Sequence, residues 1–421
     1  MERGREPRIC IVYASSPFRE QSYITRIVRE VEGCCRGIIS KGVVYGEAQA
    51  SRLDLSDCDS LIVVVLTGGT ENILLRLNES SPRYKVFVGL DKANSTAALI
   101  EASPILRRRG SGVVIPGSCM RVGECISRIT RVLRGVCRIR SSRIGVIGRT
   151  SEWLVNSTVD YMSVESKIGA TIMDLPVTVL VEHYNSASEA SDSIIRMLAG
   201  GYSFEPGVGV DDLRESLRLY VALKELIENY NLNAVTIECF EVIREIRVSP
   251  CLPLAVLNSE GIPAACEGDI PSLLTIMIVN YCLGEKSFMA NVAGVYEASS
   301  KILFTHCTAP LTMSCGEVVL KRHFESGASI APSVRFRRGA VTITKLSPRL
   351  NKIFIYRGEV VDGEARDKLQ CRNQMLVKLD REAVRSIVSG EAGNHHVILY
   401  GDRVECLKLV AQVLGLEYTV L

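Results

Sequence analysis

The sequence predicts an α/β protein: two doubly wound parallel-sheet domains followed by a mostly β C-terminal domain. Two observations carry this reading. Through the first two thirds, short apolar runs that end in glycine or polar turns alternate with stretches of helical periodicity. After about Lys286, strand-like runs follow one another with few helices between them, the pattern of a closed or sandwich-type β domain. The expected boundaries are 1–140, 141–285 and 286–421, in keeping with 421 residues being too many for one core.

The first domain opens on the strand Ile9–Tyr13 and a helix near Gln21–Val31. Leu61–Leu66 is a buried strand leading into the turn Thr67-Gly68-Gly69-Thr70-Glu71 and the next helix. Lys85–Leu90 and Gly112–Pro116 read as further strands, with helices over Asn94–Glu101 and Cys125–Arg134. The second domain starts at the strand Arg143–Gly148. Leu213, Leu217, Tyr220, Leu223, Leu226 and Ile227 mark the buried stripe of a helix over Asp211–Tyr230. Asn233–Cys239 is a strand carrying Glu238, Pro250–Asn258 a short helix, and Ile262–Cys266 the strand that delivers Glu267. Asp269-Ile270-Pro271 starts a helix over Ser272–Leu283, with Asp269 placed to cap it. In the third domain the strands are Phe288–Val292, Lys301–Cys307, Ala340–Leu346, Lys352–Gly358, Met375–Leu379 and Val397–Tyr400. The helix Arg403–Leu414 and the strand Glu417–Val420 close the chain.

Composition narrows the function classes. The net charge is +3, with basic and acidic residues interleaved, and no aromatic-rich basic module accompanies the clusters Arg107–Arg109 or Arg335, Arg337, Arg338; nucleic acid is not an expected partner. The run Leu61–Leu66 is far too short for a membrane span, and the first residues lack an apolar signal-peptide core, so a cytoplasmic protein without a membrane partner is expected. Fifteen cysteines include no Cys-x-x-Cys pair; Cys34-Cys35 is a vicinal pair, and Cys10, Cys239, Cys266, Cys282 and Cys307 sit in apolar runs. They are read as packing residues. The first strand leads to Ala14-Ser15-Ser16-Pro17 without Gly-x-Gly-x-x-Gly, which speaks against a dinucleotide-dependent dehydrogenase.

Chemistry-bearing residues concentrate late in the chain. Carboxylates, amides and imidazoles recur at the ends of short apolar segments: Glu267 and Asp269, Asn291, His306, and the pair His395-His396. Such donors together suit a hard or borderline divalent cation. On a strand only one of His395 and His396 can face a given side, so one ligand and one structural histidine are expected. Asp269 also reads as a helix cap, Glu238 as either a substrate contact or a buried ion-pair partner, and Trp153, the only tryptophan, as a sugar-stacking face or a core anchor. Thr70 and Glu71 stand at a strand end of a doubly wound sheet, where ligands approach. His183 and His323 are left as structural.

The order Ala264-Ala265-Cys266-Glu267-Gly268-Asp269, apolar helix, Phe288-Met289-Ala290-Asn291, His306 and Gly393-Asn394-His395-His396 resembles the L-fucose/L-arabinose isomerase superfamily, and within it the short, fucose-isomerase-like branch. The resemblance covers roughly residues 235–421. It implies a metal-dependent aldose–ketose isomerase, acting through an ene-diol on a deoxy-, pentose or modified sugar, with Mn2+ or a similar cation. Glu267 would be metal ligand and base, His396 or His395 a ligand, and His306 a ligand of the arabinose type. Glu238, Trp153, Thr70 and Glu71 are expected to meet the sugar, and a homo-oligomer with sites near subunit interfaces is implied. Where the fucose branch has a metal-binding aspartate, this chain has Asn291; an amide supplies one neutral oxygen but neither charge nor proton acceptance. Asp269 is the expected compensating carboxylate. The alternative is a non-catalytic sugar-binding or regulatory protein of the same fold.

Overall fold

A computed structural model describes residues 5–34, 37–115, 122–187 and 201–421, and it has an α/β fold with a β-rich C-terminal region. Pro116, expected to end a strand, Cys35, and the side chain of Cys34 lie outside the described residues. Two compact units emerge: Met1–Ser141 with Tyr281–Leu283 and Glu405–Glu417, and Ser142–Asn280 with Gly284–Val404 and Tyr418–Leu421.

The first unit is built on β1 (Ile9–Ala14), β2 (Ile38–Val44), β3 (Ser60–Val65), β4 (Tyr84–Val88) and β5 (Gly112–Val114). All neighbours are parallel, in the order β2-β1-β3-β4-β5. The central strands are buried on both faces, which is why they read as unbroken apolar runs. The edge strand β2 was not expected: Ile38-Ile39-Ser40-Lys41-Gly42-Val43-Val44 is largely half-buried and contains lysine and glycine. Gly135, in the helix Val122–Arg140, has no side chain to hold off Tyr281–Leu283; a Cβ there would lie 2.6 Å from the Cys282 backbone.

The second unit holds a parallel sheet and a β barrel, which the sequence reading assigns to separate domains. Its opening strands are β6 (Arg143–Ile147), β7 (Thr171–Leu175), β8 (Tyr202–Phe204), β9 (Ala234–Ile237) and β10 (Ala264–Cys266). Four of them form a parallel sheet in the order β10-β9-β6-β7. The helix expected over Ser272–Leu283 runs as α-helix over Ile270–Met277 and then widens to a π-helix over Ile278–Leu283. Then come β11 (Phe288–Tyr296), β12 (Lys301–His306), β13 (Val318–Arg322), β14 (Ile330–Ser333), β15 (Gly339–Leu346), β16 (Lys352–Asp362), β17 (Asn373–Leu379), β18 (His395–Tyr400) and β19 (Glu417–Val420). The antiparallel order β15-β18-β11-β12-β17-β16 closes on itself through β15–β16 pairing, so six strands make a barrel without free edges, and β19 adds to β16. The strands β8, β13 and β14 form a small separate sheet, too short to leave a periodic signal in the sequence.

Phe288, Phe304, Ile343, Phe354, Tyr356, Met375 and Ile398 pack inside the barrel. The reading of the cysteines as packing residues is corrected, since Cys10, Cys58, Cys125, Cys239 and Cys266 are disulfide-bonded. Disulfides join Cys10 to Cys58 in the first unit and Cys239 to Cys266 in the second. Both pairs are buried, but residues distant in sequence meet there at Cα separations of 5.8 and 6.2 Å, which linear spacing does not reveal. Among the described residues no helix is long and apolar enough to cross a membrane.

The barrel core sets a first expectation. Phe304→Ala should lower unfolding free energy by about 3–5 kcal/mol in denaturant titration. Val295→Ala, at a more exposed strand position, should stay within about 0.5 kcal/mol. Equal effects would contradict the packing described.

Candidate functional site

The carboxyl ends of the parallel strands in the second unit deliver the polar groups, as expected for an open α/β sheet. The segment after β6 carries Arg149, Ser151 and Trp153; β9 is followed by Glu238, and β10 by Glu267 and Asp269. Glu267 and Gly268 are both in the left-handed region, with φ of +62° and +64°. For glutamate this conformation costs about 1–2 kcal/mol, and surrounding hydrogen bonds hold it. Ser151 N–H donates to the Glu267 carbonyl at 3.0 Å and Gly268 N–H to the Ile237 carbonyl at 3.0 Å. The Thr150 hydroxyl donates to the Gly268 carbonyl at 2.9 Å. A Cβ on residue 268 would stand 2.3 Å from the Arg149 carbonyl oxygen, so glycine is required.

The turn aims the Glu267 carboxylate at two imidazoles from the barrel. Its Oε1 lies 3.5 Å from His306 Nε2 at the end of β12 and 3.6 Å from His395 Nε2 at the start of β18. Both Nε2 atoms are buried and lack a hydrogen-bond partner. The other carboxylate oxygen accepts from Trp153 Nε1 at 2.7 Å. Burial by itself raises the Glu267 pKa, but the facing His306 and His395 outweigh it and hold the carboxyl well below the usual range.

Asp269 stands behind this group and is fully buried. It caps the helix Ile270–Met277 by accepting from Ser272 N–H at 2.7 Å, pairs with the buried ammonium of Lys345 at 3.2 Å, and accepts from His395 Nδ1 at 2.8 Å. That last bond holds a proton on Nδ1 and turns Nε2 toward Glu267, the arrangement that orients a metal-ligating histidine. Burial opposes charge on both groups. Lys345 and His395 nevertheless keep Asp269 ionised, and Asp269 and Glu267 push His395 up to about 9. Asp269 was expected as a helix cap and as a catalytic carboxylate; it caps the helix and lies fully buried behind His395.

His396, offered with His395 as a possible ligand, faces away from Glu267. Strand alternation sends its ring into the barrel, with centroids 6.0 and 6.1 Å from the Phe304 and Tyr356 rings. Its Nδ1 donates to the Asn394 carbonyl at 3.0 Å, and burial lowers its pKa to about 4, leaving it neutral. Register decides which histidine faces the carboxylate: His395 sits opposite Asn291 and His396 opposite Ala290. Asn291 lines the cleft, but its side-chain oxygen already accepts from Asn394 Nδ2 at 2.7 Å.

A cleft of about 890 Å³ opens onto Glu267. Trp153, 55% exposed, forms part of its wall and meets the Phe240 ring edge-on at 5.1 Å. Glu238 also lines it, with its oxygens engaged: one accepts from the Ser151 hydroxyl at 3.1 Å, the other from Glu241 N–H at the start of the helix Cys239–Ile246. Thr70 and Glu71 belong to the first unit. There the buried Thr70 hydroxyl donates to the Thr67 carbonyl, and Glu71 lines a separate cleft of about 430 Å³. Residues not singled out from the sequence include Lys345, whose signal was a lone charge in the apolar strand Val341–Leu346. Arg149 and Glu325 also line the main cleft and left no signal, since nothing in their spacing links them; Arg244 and Arg247, which the sequence offers as ion-pair partners for Glu238, line it too.

Among the described residues, Glu267, His306 and His395 fit a divalent cation: two orphaned imidazole nitrogens and a carboxylate oxygen converge at distances one ion would bridge. His306 Nδ1 meets the Thr308 hydroxyl at 3.1 Å, so as donor there it frees the Nε2 lone pair.

No family model matches the chain. Two curated proteins are similar to it. The sulfoquinovose isomerase of Alkalicoccus urumqiensis is 24% identical over 254 residues, covering 57% of this chain and 56% of the relative. That of Clostridium sp. (strain MSTE9) is 26% identical over 212 residues, covering 48% and 47%. The chain thus spans about half the length of the relatives it matches. Both are named as sugar isomerases; neither carries a fucose or arabinose isomerase name.

The His395 environment makes stability pH-dependent. A histidine raised from 6.5 to about 9 on folding contributes stability that is complete below pH 6.5 and lost as pH rises through about 9. In metal-free protein, the denaturation midpoint should fall across that window for wild type and far less for His395→Asn. Parallel curves would remove the His395–Asp269 linkage.

Proposed function

We propose that this protein is a metal-dependent aldose–ketose isomerase acting on a sugar with an anionic group. The observation that carries the reading is the meeting of Glu267 with the unpartnered Nε2 atoms of His306 and His395 at the mouth of a sugar-sized cleft. The two relatives named as sugar isomerases support the reaction class.

Isomerisation moves a proton from C2 of the aldose to C1 of the ketose, while a second proton passes from O2 to O1. Glu267, His306 and His395 would hold a divalent cation, manganese or similar, whose bound charge stabilises the ene-diolate. Glu267 is the carboxylate nearest that point and serves as ligand and C–H base. The second carboxylate is Glu325 on the same cleft, not residue 291. Desolvation first, and then the nearby charge of Glu267, raise its pKa, which suits a group that must both take and give a proton. Trp153 steadies Glu267 through its N–H and offers its ring to the sugar C–H face. Asp269 and Lys345 keep His395 in the ligating tautomer.

The relatives' names point to a sulfonated sugar. Arg149, Arg244 and Arg247 line the cleft, and guanidinium groups bind sulfonate or phosphate oxygens in a planar, two-pronged way. A homo-oligomer with sites near subunit interfaces, to which the Thr70–Glu71 turn would contribute, is part of the same proposal.

The test is a manganese-supplemented screen of neutral, sulfonated and phosphorylated aldoses, read by ketose formation and by exchange of the C2 hydrogen with solvent. Glu267→Gln should reduce turnover at least about 10²-fold, and Glu325→Gln by about 10²-fold with a shifted pH profile. Arg244→Ala should raise KM for the anionic sugar alone. Ketose formation that survives both chelation and Glu267→Gln would contradict the mechanism.

A further inference from the structure

A second constellation lies in the same unit and plays no part in the reaction just described. Cys251 is the first residue of the helix Cys251–Glu260, Cys307 follows β12, His323 follows β13, and Cys371 precedes β17. Ligand atoms of Cys251, Cys307 and His323 all lie within 4.8 Å of one another, and all three residues are buried. Cys371 packs against the same cluster. Cys251, Cys307 and Cys371 are free thiols. Four separate segments thus bring two sulfurs and one imidazole within 4.8 Å of one another, with a third cysteine packed beside them.

Ordinary packing does not call for this set. A buried thiol behaves as a small hydrophobe and needs only apolar neighbours, whereas here the sulfurs face each other and an imidazole. The surroundings of the sulfurs are apolar, with Ala331 and Phe324 against them. Ser326 holds the ring in place, its N–H donating to Nδ1 at 3.3 Å and its hydroxyl meeting the same nitrogen at 2.8 Å. Three sulfurs and one nitrogen are the donor set of structural zinc, whose bonds of about 2.0–2.3 Å imply ligand–ligand separations of about 3.3–3.8 Å.

We propose that Cys251, Cys307, Cys371 and His323 form a tetrahedral Cys3His site for a zinc ion, structural in role and separate from the Glu267 cluster. Zinc binding releases the thiol protons and involves no change of oxidation state. The site would brace the cleft from behind. Cys307 directly follows His306, and the turn after His323 carries Glu325 and Ser326, both of which line the cleft. The His323 ring also meets Phe240, the residue against Trp153.

The proposal stands or falls independently of the isomerase reading. Full-length protein purified under reducing conditions should carry about one zinc per chain by elemental analysis after dialysis against EDTA. Glu267→Gln and His395→Asn should leave that zinc in place. Cobalt-exchanged protein should show a sulfur-to-cobalt charge-transfer band and tetrahedral d–d absorption, both altered in Cys371→Ser. Because Cys251 and Cys307 are buried and their substitution also disturbs packing, the cobalt spectrum of wild type is the deciding measurement. Protein that takes up no cobalt with sulfur ligation overturns the assignment, as does a native disulfide among these three cysteines. Zinc that is retained in Cys371→Ser with an unaltered cobalt spectrum also overturns it.

Discussion

The hydrogen bond between Asp269 and His395 is the constraint on which the candidate site depends. Asp269 does three things with two oxygens: it ends the β10 turn by capping a helix, neutralises the buried Lys345, and fixes the proton of His395 on Nδ1. An isolated carboxylate or ammonium at this depth would be costly, and each is tolerable here because the other is present. Removing Asp269 would therefore leave a buried ammonium unpaired, unfasten a helix and free the His395 ring together. Without a cation, His395 takes the compensating charge opposite Glu267; a bound cation would displace that proton, so affinity should rise with pH.

The same economy appears at Glu267. A glutamate with positive φ followed by a glycine with positive φ forms a turn that neither residue prefers at all costs, yet backbone bonds from Ser151 and to Ile237 hold it. The strain has a geometric return: the carboxylate leaves the parallel sheet and meets groups from the barrel. Strain of this kind concentrates where position matters more than local stability. A parallel sheet alone supplies carboxylates, and a barrel alone supplies imidazoles; the cleft exists because one compact unit contains both.

Much of this was legible in the sequence. Fully buried strands such as Ile9–Ala14 and Ser60–Val65 announce themselves as apolar runs, and Asp269 followed by Ile270-Pro271 announces a capped helix. Alternation on a strand required that His395 and His396 diverge. Choosing between them required the register of β18 against β11, which no local pattern contains. The half-buried edge strand β2 and the short strands β8, β13 and β14 lacked periodicity. The cap made by Asp269 was legible, but its bonds to Lys345 and His395 were not, because those partners lie far along the chain. Disulfide partners and the Cys251–Cys307–Cys371–His323 group were invisible for the same reason, since their members are far apart in the chain and close only after folding.

Pulsed electron paramagnetic resonance of bound Mn2+ tests the central claim most directly, because it reports the nitrogens attached to the ion. Two imidazole nitrogens should couple to the manganese, with one lost in His395→Asn, the other in His306→Asn, and both kept in His396→Asn. A manganese signal with no imidazole coupling, or one that His396→Asn alone diminishes, would contradict the arrangement of Glu267, His306 and His395 around a single ion.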